Sequence, residues 1–140
     1  MIRIELERVQ GLFGFAARDQ AGHEIHLDSS RENGGEDFGI RPMQGLLMAL
    51  GACSGIDIIS ILKKQQQYPQ HFSMVIEGER RQEGAVSLWK EVRMQFRFSG
   101  QLDEEKIKRA CALSVEKYCS VAETLRRAGA IIEWNAVLEN

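Results

Sequence analysis

Three thiols carry the nucleophilic and redox chemistry that this sequence offers: Cys53, Cys111 and Cys119. Three is odd and sparse, which argues against a secreted disulfide scaffold and for free thiols in a reducing compartment. Cys119 immediately precedes Ser120, the predicted N-cap of a late helix. The partial positive charge of a helix start stabilises a thiolate there, and Lys117 two residues away adds to it. Local physics therefore makes Cys119 the better candidate for a reactive thiol, against the alternative of a small apolar filler at a helix junction. Cys53 lies inside the apolar stretch "LLMALGACSGIDIISILKK", Leu46 to Lys64. An apolar setting raises a thiol pKa, and an ionised Asp57 one helical turn on raises it again. Locally Cys53 reads as packed core, and nucleophilic work there requires a cation from elsewhere. Cys111, between Ala110 and Ala112, reads as the core face of an amphipathic helix. No Cys-x-x-Cys pair suggests zinc. His23 and His26, three apart in a strand, point to opposite faces, so neither a metal nor a cofactor is expected.

The elements that must position these thiols follow from periodicity. Ile2, Ile4 and Leu6 alternate with polar residues as a first strand. Leu12 to Ala17 and His23 to Asp28 give two more, with turns at Gly11 and Gly22. Asp28 to Arg41 is a polar, glycine-rich loop. Pro42 suits the first position of a helix, and apolar residues surround most of the segment from Met43 to about Gln66, as in a long buried central helix. Gly45, Gly51, Ala52 and Gly55 thin its surface, so that another backbone can pack close. Phe72, Met74 and Ile76 alternate in a fourth strand. Val86, Leu88, Val92, Met94, Phe96 and Phe98 share one face of a fifth, with Lys90 breaking the set and a hairpin turn near Gln82 to Gly84. Asp103 to Glu105 open a helix that runs to about Lys117. Ser120 and Glu123 form a capping box for the next helix, which Gly129 ends. Ile132, Trp134, Ala136 and Leu138 make a last strand. The order β-β-β-α-β-β-α-α-β, with strands and helices grouped, predicts an α+β fold with a mostly antiparallel sheet.

At 140 residues, the sequence reads as a single domain over 1–140. The net charge of −2 from 18 basic and 20 acidic residues supplies no basic field for nucleic acid and no polybasic membrane patch. The N-terminus has no signal-peptide core, and the apolar run from Gly45 to Ile56, interrupted by Asp57, reads as too short to span a bilayer. A cytoplasmic protein without membrane or nucleic-acid partners is expected.

"GIRPMQGLLMALGACSGIDIISILKK" together with "SVEKYCSVAETL" resembles the OsmC/Ohr family, the osmotically inducible and organic-hydroperoxide-resistance proteins. The element order is similar along nearly the whole chain, and the sequence looks closest to the YhfA-like branch. The resemblance implies an OsmC-like intertwined homodimer with two sites near the subunit interface. It implies thiol-dependent reduction of an organic hydroperoxide or hydrogen peroxide in an oxidative-stress response, with no cofactor. Cys53 is then the attacking thiol and Cys119 the resolving one, restored by an external dithiol. This reverses the order that local physics gives. In the family's peroxidases an arginine from an early loop stabilises the thiolate, oriented by a glutamate just after the helix-opening proline. Here Met43 and Gln44 follow Pro42. Arg18, Arg31 and Arg41 could supply a guanidinium, with Arg18 and Arg41 as the candidate thiolate-stabilising residues. Two other functions fit the same resemblance: a non-enzymatic module binding a small apolar or electrophilic ligand beside Met43, Leu46 and Leu50, and a redox sensor.

Overall fold

Alternation of apolar and polar side chains builds two three-stranded sheets in a computed structural model that describes residues 1–139. The strands are β1 (Glu5–Gln10), β2 (Gly14–Arg18), β3 (Glu24–Leu27), β4 (His71–Glu83), β5 (Val86–Ser99) and β6 (Ile131–Glu139). The helices are α1 (Pro42–Lys64), α2 (Glu104–Leu113) and α3 (Ser120–Arg127). The predicted element order and the α+β class therefore hold. The chain clusters into two units, Met1–Leu46 and the remainder from Leu47.

In the first unit, β1, β2 and β3 pair antiparallel in chain order. β1 starts at Glu5 rather than Ile2 because its partner β2 ends at Arg18, opposite Glu5. Gly11 and Gly22 adopt φ of +58° and +90°, the left-handed region that turns require. Asp28 organises the loop that follows. Its buried carboxylate accepts hydrogen bonds from the backbone N–H groups of Ser29, Glu36 and Phe38 at 2.7, 2.9 and 3.2 Å. The Glu36 N–H, before the other donors, holds this carboxyl below its ordinary range.

In the second unit, β4 and β5 form a long antiparallel hairpin closed at Gly84, and β6 joins β5 in parallel. A parallel neighbour requires a crossover connection, which α2 and α3 supply. The mostly antiparallel prediction holds, with β5–β6 the parallel exception among the named strand pairs. The predicted single face of β5 also needs correction. Glu79 pairs with Glu91 and Arg80 with Trp89, leaving Lys90 as an extra, bulged residue. A bulge shifts the two-residue period. Trp89 thus shares the core face with Val92, Met94, Phe96 and Phe98, while Val86 and Leu88 fall on the other. Lys90 pairs with Glu83 at 3.0 Å.

Helix α1 turns Leu50, Gly51, Ser54, Gly55, Ile58 and Leu62 into the core of this unit. The expected burial holds for that face, while Met48, Ile56 and Ile59 remain exposed on the single chain. The glycines do bring α1 close to a neighbour, but what meets them is side chain rather than backbone. A Cβ on Gly51 would lie 2.7 Å from Ile76 Cδ1 and 3.0 Å from Met74 Sδ, and one on Gly55 would lie 3.1 Å from Met74 Cε. At 23 residues, α1 is long and apolar enough to cross a membrane by length and composition, which corrects the reading of that run as too short. The helix simply continues through Asp57. A core helix meets the same measure, and the Leu50, Ile58 and Leu62 face is fully buried in the protein core.

Gly51→Val is expected to destabilise the protein by about 1–3 kcal/mol, the usual cost of overpacking, measured by urea denaturation. Asp28→Ala is expected to lower the melting temperature at neutral pH. Because the Asp28 carboxyl is depressed in the fold, its contribution is present above the ordinary value of 3.8 and fades as pH falls through the lower folded value. The wild-type and Asp28→Ala melting curves, followed by circular dichroism, are therefore expected to converge in acid.

Candidate functional site

Ser54, buried on α1, determines the geometry around the thiols. Its hydroxyl donates to Cys119 Sγ at 3.3 Å, and its carbonyl accepts from Ser114 Oγ at 3.0 Å. The adjacent Cys53 and, one turn on, Asp57 are carried to the same spot by the helical period. The ligand-type atoms of Cys53, Asp57 and Cys119 all lie within 4.8 Å of one another. The structure thus brings together the two thiols singled out in the sequence, with all three cysteines unpaired. Cys111 is fully buried in the core, as its helix position predicts.

The segment before Cys119 departs from the predicted continuous helix. Asp103 caps α2 by accepting from the backbone N–H groups of Glu105 and Lys106. From Ser114 to Tyr118 the chain widens into a π turn, closed by Cys119 N–H donating to the Ser114 carbonyl at 2.8 Å. Such turns recur at functional sites. Here the turn buries the Ser114 hydroxyl and ends α2 in time for α3 to start at Ser120. The Arg126 guanidinium donates to the Val115 carbonyl, tying α3 back to the turn. The N-cap of α3 is Cys119 itself, whose sulfur accepts from Ala122 N–H at 3.4 Å. The predicted Ser120 capping box is therefore displaced by one residue, and Glu123 instead pairs with Arg126 and Arg127.

This burial overturns the expectation of an acidic Cys119. Desolvation, the largest effect, pushes its thiol above the ordinary 9.0; the hydrogen bonds from Ser54 and Ala122 pull it back only in part, and Cys53 pushes it further up. Lys117 gives no help, since its ammonium sits over the Tyr118 ring at 5.2 Å. Cys53 is the more accessible of the two, half-buried where Cys119 is buried. Helix position therefore does not make Cys119 the more reactive thiol, because burial outweighs the helix start.

Sequence reasoning missed Ser54 and Ser114. Ser54 had a signal in its place beside Cys53; Ser114 had none, because its role arises only where the π turn meets α1. Arg18 is held by Glu24 at 2.7 Å, and Arg41 by Asp37 at 3.3 Å and the Gly39 carbonyl at 3.1 Å. Arg31 also pairs with Asp37. His23 binds Asp19 and His26 binds Glu24, with His26 stacked on Phe38. Leu50, expected to line a ligand pocket, is fully buried and offers no surface to one.

In native protein at neutral pH, iodoacetamide is expected to modify Cys53 first, leaving Cys111 and Cys119 protected until unfolding, as read by peptide mass mapping. Burial pushes the Cys111 thiol up to about 12. The unfolded chain releases that proton near 9.0 and the folded chain does not, so stability is expected to fall as pH rises from 9.0 towards 12. Cys111→Ala is expected to flatten that slope in alkaline denaturation curves.

Residues 34–135 match the family model described as OsmC-like protein. Protein YhfA of Escherichia coli K12 is 40% identical over 121 residues, covering 86% of each chain. Among solved structures, a hypothetical protein from Aquifex aeolicus superposes with a TM-score of 0.80 at 30% identity, covering 100% of this chain and 98% of that one. An organic hydroperoxide resistance protein OsmC from Legionella pneumophila gives 0.69 at 18% identity, covering 100% and 97%. At that identity the likeness speaks for the fold. With the family model spanning most of its length and a relative of this similarity, the chain belongs to the OsmC-like family.

Proposed function

We propose that the protein is a thiol-dependent hydroperoxide reductase in which Cys53 attacks and Cys119 resolves. The single observation that carries this reading is the approach of the two sulfurs to within 4.8 Å, although they are distant in sequence. A disulfide needs about 2.0 Å, so rotation of the two side chains and a small adjustment close the bond. Hydroperoxide resistance is the named property of two structural neighbours, from Legionella pneumophila and Bacillus subtilis, which supports the same substrate class.

The Cys53 thiolate attacks the terminal oxygen of ROOH; the O–O bond breaks, Cys53 becomes a sulfenic acid, and the leaving alkoxide takes a proton to give ROH. The Cys119 sulfur then attacks the Cys53 sulfur. The S–S bond forms, the S–O bond breaks, and the hydroxyl leaves as water with the Cys119 proton. An external dithiol returns two electrons and two protons by thiol–disulfide exchange. The proton retained on Cys119 suits this order, because it is held until the second step needs it. Arg18 and Arg41 each have a carboxylate partner near in sequence, so the reading rests on the thiol pair rather than on a guanidinium.

The working unit in this proposal is a cytoplasmic, intertwined homodimer. The exposed Met48, Ile56 and Ile59 of α1 and Leu6 and Ile25 of the first sheet provide apolar surface for a second copy.

Reduced protein mixed with cumene hydroperoxide is expected to lose two of its three thiols, with Cys53 and Cys119 joined in the recovered peptide. Cys53→Ser is expected to lose no thiols to the peroxide. Cys119→Ser is expected to leave a sulfenic acid that dimedone traps. Retention of all three thiols in the wild type would refute the assignment.

A further inference from the structure

Cys53, Asp57 and Cys119 form a cluster whose third member the thiol chemistry above does not use. Asp57 is half-buried, its carboxylate within 4.8 Å of both sulfurs. Two thiols and a carboxylate are the donor types that zinc takes, with sulfur at about 2.3 Å and oxygen at about 2.0–2.2 Å.

We infer that the reduced protein binds one zinc-class divalent cation per chain, held by Cys53 Sγ, Cys119 Sγ and an Asp57 carboxylate oxygen, with a fourth position open to water or an external thiol. Tetrahedral coordination at the zinc–sulfur distance puts two sulfurs about 3.8 Å apart. The observed spacing, at most 4.8 Å, therefore needs a contraction of about 1 Å or less. The three residues come from two elements: α1 supplies Cys53 and Asp57 one turn apart, and the start of α3 supplies Cys119.

The surrounding hydrogen bonds suit an anionic, metal-bound set. Cys119 Sγ already accepts from Ser54 Oγ and Ala122 N–H, the outer-shell donors that a bound thiolate uses. Ser114 Oγ lies 3.4 Å from Asp57 Oδ2 and 3.0 Å from the Ser54 carbonyl, so its single proton serves one or the other. With a cation in place, turning that proton to Asp57 orients the carboxylate. Cys111 lies outside the cluster. A soft cation is favoured over calcium or magnesium because two of the three donors are sulfur.

Full-length reduced protein is titrated with Zn2+ against a chromogenic chelator, and separately with Cd2+ while the ultraviolet sulfur-to-cadmium charge-transfer band is followed. One equivalent per chain is expected, with the cadmium band present. Cys53→Ser and Cys119→Ser are expected to abolish the one-equivalent step, and Cys111→Ser to retain it. Asp57→Asn is expected to weaken binding at least ~10-fold, the lower end of what an outer-shell change costs, and Asp57→Glu to recover part of the loss. Absence of the cadmium band in the wild type, or equal affinity in Asp57→Asn, would overturn the site. The readout requires no peroxide, so loss of peroxidase activity and loss of metal binding are separate results.

Discussion

The buried hydrogen bond from Ser54 to Cys119 is the constraint around which this site is built. Ser54 is fully buried on α1, and a buried hydroxyl without a partner costs about 1–3 kcal/mol. Its partners all come from the joint between α2 and α3: the Cys119 sulfur accepts from its hydroxyl, and the Ser114 hydroxyl donates to its carbonyl. Satisfying Ser54 therefore fixes that joint against α1. Cys53 and Asp57 are placed as a consequence, since one is adjacent on the same helix and the other is a turn away.

The same constraint sets the electrostatics. A thiol at a helix start is ordinarily acidified by the backbone N–H groups there. Cys119 has one of these, Ala122 N–H, and a hydroxyl donor as well, yet burial outweighs both. A second thiol close by adds to the penalty, because two anions cannot share a desolvated spot cheaply. Burial and the neighbouring thiol therefore both oppose ionisation of Cys119 in the reduced form. Oxidation to a disulfide removes the charge problem altogether, and a coordinated cation would neutralise it. Both outcomes relieve the same crowding.

Much of the frame was legible in the residues. Pro42 and the run of leucine and isoleucine announced α1, Asp103 announced α2, and alternation announced most of the strands, the second being bracketed instead by the turns at Gly11 and Gly22. The misreadings have local physical causes. The bulge at Lys90 inverted the phase of Val86 and Leu88, because a two-residue period carries no warning of an inserted residue. The π turn displaced the α3 cap from Ser120 to Cys119, because its wide hydrogen-bond ring forms only against the rest of the core. The parallel entry of β6 depends on the path of the crossover, which side-chain patterning does not encode.

Sequence by itself determined the inventory: which residues carry thiols, which segments become helix or strand, and that Cys53 and Asp57 lie one turn apart on a helix. Those are local properties, set by chain spacing and the helical period. Tertiary structure alone decided that Cys119 meets them, that Ser54 and Ser114 surround the meeting point, and that burial raises the Cys119 thiol pKa despite its place at a helix start. Proximity and desolvation depend on what packs across the core, and residues distant along the chain carry no local mark of either.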